Sequence, residues 1–142
     1  GALGKAYQPF SIIGVPKGGL CATHNFYFIG GRVEYISTNT GFVTFISQGK
    51  RVPPRLSQQT LAHELGHSFG SDHDAVSNEY RPQGTFIMYP TAPLRVGDKP
   101  NHTKLSPESI ANISTVLDFV LKAQPFNTDE LARWGSRTNC LQ

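Results

Sequence analysis

The stretch LAHELGHSFGSDHD, residues 61–74, places three histidines and three acids within fourteen positions. Leu61, Leu65 and Phe69 recur at steps of four, Ser57 upstream is suited to an N-cap, and Gly70 is suited to a left-handed stop. The pattern predicts a helix over 57–69 that ends in a sharp turn. Four residues advance a helix by about 400°, so His63 and His67 stand on one face, one above the other. After the reversal at Gly70 the chain can bring His73 back to the same point.

Three neutral imidazole nitrogens suit one zinc ion and leave a fourth position for water, whose pKa zinc lowers from about 15.7 to about 7. Glu64 follows a ligand directly, lies about 100° around the helix from it, and can hold that water, take its proton and hand it to a leaving amine. The expected cofactor is therefore a single Zn2+ held by His63, His67 and His73, with Glu64 as the catalytic base. Residue frequencies give HExxH alone roughly one chance in a few hundred in a chain of this length, and adding Gly70 and His73 lowers it to the order of one in a hundred thousand. A helix whose histidines merely satisfy each other is correspondingly disfavoured.

The 142 residues fit one domain, 1–142, with room for a real core. The net charge of +3 comes from scattered basic residues rather than a stripe, which argues against a nucleic-acid partner. No apolar run reaches the roughly 18–20 residues that span a bilayer, and Gly1 does not open a leader-like segment. The chain is thus expected to be a soluble, monomeric domain of a larger precursor, without direct membrane insertion. Cys21 and Cys140 sit in no CxxC, so a disulfide between them is the favoured reading, with two unpaired buried thiols as the alternative. Asn101 and Asn112 open N-x-S/T triplets and are glycosylation candidates in an extracellular setting.

Along the chain, residues 1–23 read mostly as loop, with a short β-branched run at 11–15. FYFI and RVEYIS flank Gly30-Gly31 and predict a hairpin over 26–36. GFVTFIS, 41–47, is a third strand candidate, ended by Gln48-Gly49 and then Pro53-Pro54. Residues 71–104 read as a long functional loop broken by FIMY. Ser106 caps a second helix, with Pro107 in its first turn and a core-facing stripe of Ile110, Ile113, Val116, Leu117, Val120 and Leu121. A short helical turn is expected near 129–134.

HELGHSFGSDH matches HExxHxxGxxH and resembles the zinc signature of the metzincin metalloproteases, and FIMYP (86–90) looks like their Met-turn. Asp74 directly after the third histidine is similar to the ADAM (adamalysin) branch. NTGFVTF, VPPRLSQQTLAHELGHSFGSDHD, IMYP and IANISTVL together look most like the kuzbanian-type ADAMs, membrane-anchored sheddases of cell-surface proteins. The similarity runs from about Gly1 to Leu121. It implies an α+β, zincin-like catalytic domain with a small mixed sheet, active-site helix, Met-turn and C-terminal helix. It further implies a floor beneath the metal at Met88, a turn at Gly70, and bracing of the Met-turn region by Asp74. By the same resemblance an edge strand formed by Thr40, Gly41, Phe42, Val43, Thr44 and Phe45 would pair with an extended peptide. Tyr89, Pro90, Thr91 and Ala92 would wall the pocket beyond the scissile bond.

The sequence departs from the family in two places. Ala75 to Thr85 holds no cysteine, and Pro107 stands where a helix-start cysteine is expected, consistent with loss of one disulfide and retention of Cys21–Cys140. The strands and helices that the family places before the region resembled by Gly1 are absent from this sequence. The expected function is a zinc-dependent endopeptidase acting on extended polypeptide or cell-surface protein at the cell surface or outside the cell. The alternatives are a catalytically impaired zinc-containing binding module and zinc hydrolysis of some other bond.

Overall fold

In the computed structural model, which describes residues 3–12, 15–22, 24–76, 82–92 and 99–122, the chain is α+β: short antiparallel ribbons followed by two helices. The expected turn at 129–134 and Cys140 lie outside the described residues. Strand β1 (Gly4–Ala6) pairs with β6 (Gly41–Val43), and β2 (Phe10–Ile12) with β3 (Val15–Lys17). β4 (His24–Ile29) pairs with β5 (Arg32–Ser37), and β7 (Ile46–Ser47) with β8 (Lys50–Arg51). The expected hairpin is present: Ile29 faces Arg32 across Gly30 (φ 57°) and Gly31 (φ 81°), the paired positive angles a two-residue turn requires.

Two expectations for the strands are corrected. Residues 4–17 contain three short strands rather than mostly loop; the partner of β1 lies more than thirty residues away, so local glycines and prolines outweighed a signal that only pairing supplies. The 41–47 strand is broken in two. The hydroxyl of Thr44 donates to Ile46 O (2.7 Å) and accepts from Ile46 N–H (3.2 Å), drawing the backbone into a local turn in place of a continuous ladder.

Helix α1 spans Pro54–Ser68, three residues earlier than expected. Pro53 is the N-cap and Pro54 is in the first turn, where its missing N–H costs nothing; Ser57 is a buried position inside the helix, not its cap. At the other end Gly70 (φ 98°) donates to His67 O (2.9 Å) and Ser71 donates to Gly66 O (2.9 Å), the paired bonds of a Schellman turn. A Cβ at Gly70 would fall 2.3 Å from a Val116 methyl, so glycine is required here by contact as well as by φ.

The inward face of α1 is not its leucine face. Ser57, Thr60, Glu64, Gly66 and His67 are buried, whereas Leu61 and Leu65 are 51% and 49% exposed. These leucines border a groove of about 800 Å³ with Phe42, Val43, Phe45 and Val52. Helix α2 (Pro107–Lys122) begins as expected, with Ser109 N–H donating to Ser106 Oγ (3.0 Å). Its apolar stripe is only partly covered: Ile113, Val116, Leu117 and Val120 are half-buried, while Ile110 and Leu121 are exposed. Among the described residues, α2 meets the body at its first turn and at Val116 beside Gly70. Among the described residues the buried apolar side chains are Cys21, Val52 just before α1, and Phe86, Met88 and Tyr89 in the 86–89 turn.

Candidate active site

The two histidines of α1 and the one beyond its terminal turn converge. Their Nε2 atoms are 3.1 Å (His63–His67), 3.1 Å (His67–His73) and 3.2 Å (His63–His73) apart. Main-chain carbonyls hold the opposite ring nitrogens. His63 Nδ1 is 2.7 Å from Ile87 O and His67 Nδ1 is 2.8 Å from Ser71 O. A carbonyl only accepts, so each Nδ1 carries the hydrogen and each Nε2 presents a lone pair. The His73 Nε2 faces the same point, and a cation there would take a lone pair from each of the three rings. Nitrogens about 2.0–2.1 Å from a tetrahedral ion stand roughly 3.3 Å apart, close to the spacing here; calcium, which takes oxygen ligands at about 2.3–2.6 Å, suits neither the donors nor the span. The donor set fits zinc.

Burial pushes the His67 and His73 pKa values down and so favours the neutral, ligating ring, with the neighbouring histidines adding to the effect. Glu64 is 8% exposed, and its pKa is raised by burial against the lowering influence of His63, His73 and the Ala6 backbone N–H that donates to it. The carboxylate lies directly under β1: a Cβ on Gly4 would be 2.7 Å from Glu64 Oε1.

The loop at 86–92 closes the site from below and beside. Met88 is fully buried, and a Cβ on Gly66 would fall 2.3 Å from its sulfur, so the thioether rests on the helix one residue before His67. Asp74 N–H donates to Met88 O (2.9 Å), and the Asp74 carboxylate accepts from Ser106 Oγ (2.5 Å) and Ser109 Oγ (3.1 Å). The segment carrying His73 is thereby fastened both to the 86–92 turn and to the start of α2.

A cavity of about 580 Å³ opens over the histidines and Glu64. Tyr89, Pro90, Thr91 and Ala92 line it. Thr40 to Phe45 do not: the strand along the cavity is β1, with Leu3, Gly4, Lys5, Ala6 and Gln8 at its wall, and β6 lies behind it, toward the separate groove. The edge-strand expectation is corrected accordingly. The signal that could have found β1 was the alternation of LGKAY, masked by Gly1, Gly4 and Pro9. Asn101 is buried and its side-chain amide donates to Gly84 O (3.0 Å), which leaves no room for a glycan; Asn112 is exposed on α2. His102 is buried and stands apart from the three converging histidines.

This arrangement coincides with a family model: that of metallo-peptidase family M12B, reprolysin-like, matches residues 10–118. The chain belongs to this family. The M12B chain is 48% identical over 130 residues to a disintegrin and metalloproteinase domain-containing protein 10 homolog of Caenorhabditis elegans, covering 88% of this chain and 14% of that relative. It is 38% identical over 159 residues to the Xenopus laevis disintegrin and metalloproteinase domain-containing protein 10, and 36% identical over the same length to the Homo sapiens protein. Each of those two alignments covers 99% of this chain and 20% of the relative. The chain thus spans a fifth or less of the length of these relatives. No helix among the described residues is long and apolar enough to cross a membrane.

Proposed function

We propose that this M12B chain carries the catalytic centre of a zinc-dependent endopeptidase that hydrolyses extended polypeptide. The observation carrying the reading is the convergence of three Nε2 lone pairs within 3.2 Å beside a buried carboxylate. Zinc, when bound by His63, His67 and His73, supplies Lewis acidity that polarises a water molecule and the scissile carbonyl.

The chain's own groups do the rest. Ile87 O and Ser71 O fix two of the rings by their Nδ1 hydrogens, so the ligands need no reorientation. Glu64, whose burial raises its proton affinity, accepts a proton from the attacking water and transfers it to the departing amine nitrogen as the C–N bond breaks. Leu3 O and Tyr7 N–H bond toward the β6 side, so the ladder's alternation turns the Gly4 backbone groups and the Ala6 carbonyl to the cavity edge, the Ala6 N–H being held by Glu64. An extended substrate would pair along that edge, with Tyr89 to Ala92 shaping the pocket for its side chains.

The same reading places the chain in a larger, extracellular or cell-surface precursor. Supporting it are the length and names of the relatives and the exposed Asn112 triplet. Glu64→Gln tests the mechanism: zinc should remain stoichiometric while cleavage of a quenched peptide falls by at least about a hundredfold. Undiminished cleavage by that variant overturns it, and zinc binding without turnover in the native sequence favours the binding module.

A further inference from the structure

Gln8 is a cavity-wall residue whose amide nitrogen lies 2.6 Å from His67 Nδ1 and 2.9 Å from Ser71 O. Ser71 O is also the acceptor 2.8 Å from that same Nδ1. The three atoms form a closed triangle on the side of the imidazole away from His63 and His73. With Nε2 committed to a cation, Nδ1 must carry the hydrogen, and an amide N–H facing it would be a second donor. A half-turn about the last side-chain bond of Gln8 exchanges the amide atoms and presents Oε1, an acceptor, at the same short distance, giving up the bond that the amide N–H donates to Ser71 O.

We infer that Gln8 is a positioning residue for the metal ligand His67, accepting from its Nδ1–H through Oε1 and coupling the cavity-lining strand to the metal centre. The inference rests on the proposed zinc site and adds to it a group outside the zinc-binding motif. The Nδ1 hydrogen is then shared between Ser71 O and Gln8 Oε1. Two acceptors on one N–H hold the ring plane against rotation and push electron density toward Nε2, which strengthens it as a ligand. Gln8 is itself fixed through its neighbour, since Tyr7 N–H donates to Thr40 O (3.1 Å). A displacement of the strand, such as a peptide pairing along it, is in this way transmitted to one ligand of the three.

The test compares Gln8→Met, which keeps length and loses the acceptor, with Gln8→Glu, which keeps an acceptor. Zinc affinity is measured by competition with a chromogenic chelator, alongside the d–d spectrum of the cobalt-substituted protein and the melting temperature without metal. Gln8→Met is expected to weaken zinc binding about tenfold or more and to alter the cobalt bands, with the metal-free melting temperature unchanged; Gln8→Glu should restore both readouts. Zinc affinity of Gln8→Met within twofold of the native sequence overturns the role of Gln8 and leaves the zinc site standing. Equal losses in both variants with a lowered metal-free melting temperature also overturn it, since packing then suffices. A native sequence that binds no zinc overturns the proposed function and this inference together.

Discussion

The sulfur of Met88 occupies the space that a side chain at Gly66 would need: an added Cβ would sit 2.3 Å from it. The helix between His63 and His67 is therefore bare at one point, and the 86–92 turn is seated there.

Gly66→Ala tests the fit. In a helix interior alanine is favoured over glycine by about 1 kcal/mol, so the change would stabilise if the space were open. Overpacking costs about 1–3 kcal/mol, and a 2.3 Å approach to a fully buried thioether places this site in the overpacked class. Urea denaturation should show net destabilisation, and Gly66→Ala combined with Met88→Ala should recover part of the loss.

Asp74 gives a graded prediction. Ser106 supplies both a bond to the carboxylate and the cap of α2, whereas Ser109 supplies only a carboxylate bond from its side chain. Ser106→Ala should cost about 2–3 kcal/mol and Ser109→Ala about 1–2 kcal/mol. The double variant should cost less than the sum, because both hydroxyls serve one oxygen. Equal single losses by denaturant titration would contradict the assignment of the cap to Ser106.

Acid should destabilise the metal-free chain. Burial lowers the His67 and His73 pKa values below the ordinary 6.5, so between those lowered values and about 6.5 the unfolded chain holds more protons and stability rises with pH. Glu64 acts oppositely: its raised pKa makes the folded state bind more protons in a window above 4.5, so its contribution falls as pH rises there. The two contributions oppose each other, and a drop in melting temperature from pH 7.5 to 5.5 is the signature of the histidines. In Glu64→Gln the opposing contribution is gone, and the drop should be steeper.

Metal removal should lower stability, because the three ring nitrogens 3.1–3.2 Å apart then lose the cation they face. A ligand at a hundred times its dissociation constant stabilises the folded state by about 2.7 kcal/mol, so zinc should raise the melting temperature in a concentration-dependent way and a chelator should reverse it. Replacing His73 by Ala should abolish most of the shift by removing one of the three converging nitrogens.

What the sequence disclosed follows the range of the forces involved. HELGHSFGSDH was readable because helix periodicity and the φ demand of Gly70 act within a dozen residues, and the structure converges those side chains as the spacing requires. The Gly30-Gly31 hairpin was readable for the same reason. β1 was not, because three residues with glycine among them become a strand only when Gly41–Val43 arrives to pair. The start of α1 was misplaced because Ser57 offered a cap signal that the proline pair upstream pre-empted. The apolar spacing of α1 marked the helix but not its inward face, where Ser57, Thr60, Glu64, Gly66 and His67 are buried.

The anchors of His63 and His67 at Ile87 and Ser71 are peptide oxygens. Any residue type supplies such an oxygen, so the aim of two rings survives substitution at positions 71 and 87 provided the local chain path is kept. Robustness of the centre to mutation is thus vested in the backbone trace, while its vulnerability is concentrated in the few glycines that allow that trace.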